Sequence, residues 1–172
     1  MRLKDKRGFT LIETLIYIAI IGAIAVSFVA FGSSVSVARN KTYAAQEVQS
    51  NVRFVVDTVS NLVRSANQVT VASSVWNDNN GKLVLTNSAP NKNPTVLDVD
   101  ENGKLRLKFG NNPPIFLTSE RVKVDRFYLE NLTGDSEREN ARISFSLVYR
   151  QESSSADFGF RQDVVFGVSV RQ

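Results

Sequence analysis

The chain has 172 residues, a formal net charge of +4, and neither cysteine nor histidine. The length suits one domain with an appendage, and the missing residue types exclude disulfides, Cys/His zinc sites, thiol nucleophiles and any triad with a histidine base. In the first eight residues Arg2, Lys4, Lys6 and Arg7 outweigh Asp5, and the remainder is nearly neutral, so the overall basicity says little about nucleic acid, a partner that is not expected but not excluded.

Behind this basic leader, which ends at Gly8, Phe9 to Phe31 reads FTLIETLIYIAIIGAIAVSFVAF, an apolar run interrupted by a single carboxylate, Glu13. As a helix it spans roughly 34 Å, enough to cross a bilayer core of about 30 Å. Positive charge ahead of it keeps the N-terminus cytoplasmic and puts the chain after Gly32 outside. An ordinary secretory signal peptide cut near Ala30-Phe31-Gly32 and a plain single-pass anchor both fit the apolar pattern. Neither needs Glu13, and a charge in a membrane segment costs a few kcal/mol at the bilayer centre and usually marks function.

The order Lys6-Arg7-Gly8-Phe9-Thr10-Leu11-Ile12-Glu13 resembles the cleavage and methylation junction of type IV pilins and type II secretion pseudopilins. The resemblance covers about ten residues. It implies a leader charged by Lys6 and Arg7, cleavage between Gly8 and Phe9 by a prepilin peptidase, and N-methylation of Phe9. It also implies assembly residues at Glu13 and Thr10, the Glu13 carboxylate meeting the α-amine of a neighbouring subunit. Physically, cleavage creates an amine at the helix start, and an amine and a carboxylate that are each costly in a low dielectric offset one another when paired. Pairing within one chain, one turn apart, is also open, and a tolerated polar residue near the membrane surface is the plainer alternative. Thr10 and Thr14 suit bonds to backbone carbonyls or packing between helices, and Gly22 suits a flexible point or a close helix contact. Two departures from the family stand out: no proline precedes Pro90, and no cysteine is available for the C-terminal disulfide loop common among relatives.

Beyond Gly32 the helical period persists. Val48, Val52, Val55, Val59, Leu62 and Ala66 recur at one-face spacing, with Arg39, Lys41, Glu47, Arg53, Asp57 and Arg64 on other faces. This predicts one helix of about 55 residues, roughly 80 Å long, apolar all round at first and then amphipathic. The alternative is a break at Gly32-Ser33-Ser34. The organisation expected is a leader over 1–8, an assembly helix over 9–31, its amphipathic continuation over 32–66 and a β-rich domain over 67–172.

From Gln68 the period shortens to that of strands at Gln68–Ala72, Lys82–Thr86, Thr95–Asp98, Lys104–Phe109, Val122–Leu129, Ala141–Arg150 and Asp163–Arg171. Turn-forming stretches separate them, including a hairpin closed at Glu101-Asn102-Gly103. The expected fold class is α+β: a long N-terminal helix packed through its valine stripe on an antiparallel sheet or two, the architecture of the pilin family. Asp98, Asp100, Asn102 and Gly103 match the opening of a calcium loop, but Phe109 stands where a bidentate glutamate is required, which favours a plain turn. Asp78 to Gly81 is likewise read as a turn. Lys104, Arg106 and Lys108, and Arg121, Lys123 and Arg126, form rows that suit DNA phosphates but more commonly make a solvated or protective sheet face.

No catalytic cluster emerges, and no cofactor is expected. The reading is a structural, non-enzymatic subunit, anchored in a bacterial inner membrane with its β domain outside and then built into a pilus or pseudopilus. Its partners would be other pilin or pseudopilin subunits, the prepilin peptidase, an inner-membrane assembly platform and lipid. The competing readings are a single-pass surface protein whose β domain binds a ligand without filament assembly, and a secreted enzyme starting near Ser33.

Overall fold

The computed structural model describes residues 9–134, 139–149 and 159–170. Gly8, Lys6 and Arg7, with the outer ends of the two C-terminal strand predictions at Arg150 and Arg171, lie outside the described residues. Helix α1 runs from Leu11 to Ser65, 55 residues. The chain divides into two compact units, Met1–Asn40 and Lys41–Gln172.

In the first unit α1 is apolar on every side and has no protein cover: Leu11, Ile18, Phe28 and Phe31 are all more than 60% exposed. Its composition is that of a membrane-spanning helix. The alternative break at Gly32-Ser33-Ser34 does not occur. The Ser33 and Ser34 hydroxyls donate to the Ala30 carbonyl at 2.8 and 3.0 Å, and Ser36 donates to Gly32 at 3.0 Å. The hydroxyls that would otherwise favour a turn are thus satisfied within the helix.

In the second unit the buried stripe of α1 is Ala44, Val48, Val52, Val55, Val59 and Val63. The expected stripe needs one correction, since Val63 and not Leu62 is the fully buried residue of its last turn. Both spacings satisfy a 3.6-residue period, but the step of four continues the line from Val55 and Val59 toward the sheets, leaving Leu62 at the margin. Ala66, just past the helix, is buried as expected.

Two antiparallel sheets cover this stripe. The first orders β1 (Gln68–Val69), β2 (Leu83–Thr86), β3 (Thr95–Val99), β4 (Leu105–Phe109) and β5 (Ile115–Phe116) in sequence. The second orders β6 (Val122–Asn131), β7 (Asn140–Tyr149) and β8 (Arg161–Ser169). Leu83, Leu85, Leu97 and Leu105 from one sheet and Phe127, Leu129, Ile143 and Leu147 from the other meet the valines in a common core. Each such side chain contributes about 1.5–3 kcal/mol of transfer free energy when fully buried.

The β1 prediction was too long. After Val69 the chain enters a short 3-10 turn, Val71–Ser73, in which Ser74 donates back to the Thr70 carbonyl and Trp76 Nε1 reaches the Val71 carbonyl at 3.2 Å. Strand β5 was not foreseen, because two exposed residues carry no alternation.

The predicted β3–β4 hairpin is present. Asp100 Oδ1 accepts the Asn102 and Lys104 N–H groups at 3.0 and 2.7 Å, and Gly103 takes φ +75°, a conformation that glycine adopts without strain. The outer edge of β6 is closed by the 77–81 loop. Gly81 N–H donates to the Phe127 carbonyl at 2.7 Å, Phe127 N–H to Asn79 at 2.8 Å, and Asn77 N–H to Leu129 at 2.9 Å. Glu139 ties the sheets together: its carboxylate accepts the Val69 N–H and its carbonyl accepts the Val170 N–H. The β5–β6 connection is pinned to α1, where Ser119 donates through its N–H to Asn51 and through its hydroxyl to Glu47.

Candidate functional site: the start of the apolar helix

Thr10 is the residue just ahead of α1, and its Oγ1 accepts the Glu13 N–H at 3.3 Å. Such a cap satisfies one of the four N–H groups that a helix start leaves without partners. The Thr10 carbonyl takes both the Thr14 N–H at 3.2 Å and the Thr14 hydroxyl at 3.0 Å. Thr14 therefore bonds a backbone carbonyl as expected, whereas Thr10 accepts a donor at the helix start. Sequence reasoning missed this cap, although the Thr-x-x-Glu spacing of Thr10 and Glu13 is the pattern of a capping box.

Glu13 lies in the first turn, where a negative charge is favoured by the unpaired N–H groups of the helix end. It is half-buried, while Leu11, Ile12, Thr14 and Leu15 are exposed. Phe9 is 76% exposed and packs its ring edge-on against Tyr17, with centroids 6.1 Å apart. Gly22 has open space around it and sits inside an unbroken helix.

The other residue groups singled out in the sequence are engaged locally. Asp98 holds Arg106 through two bonds of 2.5 and 3.0 Å, and this pairing keeps the Arg106 guanidinium even more firmly protonated than usual. With Asp100 closing its own turn, the two carboxylates and Asn102 serve the hairpin. No group of three or more metal-binding residue types converges among the described residues. Asp78 Oδ1 accepts the Asn80 N–H at 2.7 Å, the turn expected there.

Several residues of the cationic rows have local partners as well. Lys104 lies 3.9 Å from Glu120 and over the Phe116 ring, Arg121 bonds the Tyr43 hydroxyl at 2.6 Å, and Arg126 stacks on Tyr128. The Lys123 stem lies where a Cβ on Gly103 would stand.

One polar network was not anticipated. On the second sheet Arg161 bonds Asp125 at 2.7 Å, Asp163 at 3.2 Å and Ser146 at 2.9 Å, and Ser146 donates to Asp163. The Ser146 hydroxyl first, and then Arg161, hold the Asp163 carboxyl below its ordinary value. A register shift between Val124 and Arg126 turns Asp125 and Arg126 to the same exposed face. Asp125, Arg161 and Asp163 are exposed while Ser146 beneath them is buried, and the network satisfies itself.

The apolar helix start is therefore the feature whose chemistry remains unspent: an exposed aromatic residue, a side-chain cap and a lone carboxylate at the head of a membrane-length helix. Residues 3–29 match the family model described as the prokaryotic N-terminal methylation motif. No curated protein and no solved structure matches the chain.

Proposed function

That motif is the signature of type IV pilins and pseudopilins, and from it we propose that the chain is a pilin-like structural subunit, made as a precursor, cut between Gly8 and Phe9, methylated on Phe9 and assembled through α1. The observation that carries this reading is the matched motif, which heads a helix apolar on all sides with Glu13 in its first turn.

Before assembly the uncovered surface of α1 sits in lipid, with the basic leader retained in the cytoplasm and the β-rich unit outside. After cleavage the new α-amine of Phe9 and the Glu13 carboxylate are each costly alone in an apolar setting and stabilise one another as a pair. In the filament the pair forms between neighbouring subunits, and the exposed apolar side chains of α1 exchange lipid for the helices of other copies. The β-rich unit is a structural and interaction module, with many of its polar groups engaged in turns, sheet edges and the Arg161 network. The partners are other subunits, the prepilin peptidase, the assembly platform and lipid.

Mass spectrometry of the mature protein tests this directly. The expected product begins at an N-methylated Phe9. An intact leader or a start near Ser33 overturns the proposal and favours the plain anchor or the secreted form, respectively.

A further inference from the structure

Resting on the processing proposed above, we infer that Thr10 is a positioning residue for the peptidase: its cap keeps the carbonyl of Phe9, the residue just after the scissile bond, out of the helical ladder, so that α1 starts at Leu11. In an α-helix each N–H bonds the carbonyl four residues back. Were α1 to begin earlier, the Glu13 N–H would bond the Phe9 carbonyl and the Ile12 N–H would bond the Gly8 carbonyl, which is the scissile one. Instead the Glu13 N–H goes to Thr10 Oγ1 at 3.3 Å, and the Thr14 N–H bonds the Thr10 carbonyl. The one donor able to recruit Phe9 into the ladder is thus diverted to a side chain.

Phe9 and Thr10 both lie outside the helix, which begins at Leu11. The matched motif extends to both sides of this cap, so the cap lies inside the recognised segment. A protease cleaves the open form of its substrate, and where opening is fast the rate follows the population of that form. Loss of the cap frees the Glu13 N–H to bond the Phe9 carbonyl, lets the helix grow toward the scissile bond and lowers that population. The cap is local to the chain and needs no contact between Thr10 and the enzyme.

The test uses the full-length precursor in membranes with a prepilin peptidase, following cleavage over time. Thr10→Val keeps the side-chain shape and removes the acceptor, and Thr10→Ala removes both. Each is expected to be cut about fivefold more slowly, the factor that corresponds to one lost side-chain cap. Thr10→Ser and Thr10→Asn both cap helices and are expected to be cut at the wild-type rate. Cleavage of Thr10→Val at the wild-type rate overturns the inference. So does rescue by serine but not asparagine, which would mean that the peptidase reads the hydroxyl itself. Hydrogen exchange of the Glu13 amide in the micelle-bound precursor gives a second readout: it should quicken in Thr10→Val, and unchanged exchange would mean that no cap was lost. If the wild-type precursor is not cut at all, the processing reading fails and takes this inference with it.

Discussion

Glu13 is one carboxylate among apolar neighbours, and the value of such a residue is decided by what it meets. Glu13→Leu is expected to leave membrane insertion intact or improve it, since removing a charge from a membrane segment favours insertion. Incorporation into filaments should fall, because a buried amine then lacks its counter-charge. Comparing membrane levels with levels in sheared filaments separates the two effects, and wild-type incorporation would leave Glu13 with no part in assembly. At the same scale, Asp163 sets an acid limit. Its folded-state pKa lies below the ordinary 3.8, so its contribution to stability is fully present above that value and is lost as pH falls through the depressed one. Asp163→Asn in a fragment starting at Ser33 should flatten the fall in melting temperature below about pH 4, and an unchanged acid profile would mean that the network adds nothing. Glu13 stood out in the sequence because charge is rare in an apolar run. The Asp163 network did not, because it depends on the long-range pairing of β6, β7 and β8.

Among the elements, α1 was the most legible: no proline, a membrane-length apolar half and a valine stripe. Its single misassignment, Leu62 for Val63, reflects a period that permits either neighbour until the sheets choose one. The long strands were legible from alternation, and even the bulge in β6 left a trace. Val122, Val124, Phe127 and Leu129 are buried, and the step of three in their spacing marks an extra residue. Strand β5 and the early end of β1 were not legible, because two-residue strands are defined by their partners. Val55, fully buried at the centre of the stripe, is the element's best probe. Val55→Ala should cost about 1–3 kcal/mol, and Val55→Asp more, since it buries a charge without a partner. Thermal melting of the Ser33 fragment measures both. Equal melting of parent and Val55→Asp would mean that the stripe does not face the sheets.

At the scale of the whole molecule, the two compact units answer to different surroundings. The first exposes apolar side chains throughout, whereas the second closes its core with its own two sheets. Solubility should divide accordingly: a fragment beginning at Lys41 is expected to stay in solution without detergent, and the full chain to require it. Light scattering with and without detergent checks both.

Gly81 carries this question of association back to a single contact. A Cβ there would stand 2.8 Å from the Phe127 carbonyl oxygen and 3.0 Å from Leu129 Cγ, so a larger residue pushes the 77–81 loop away from β6. The strand then presents unpaired donors and acceptors at Phe127 and Leu129, a template for another chain. The main cost of Gly81→Val should therefore be colloidal: turbidity that rises with protein concentration while the valine stripe stays packed.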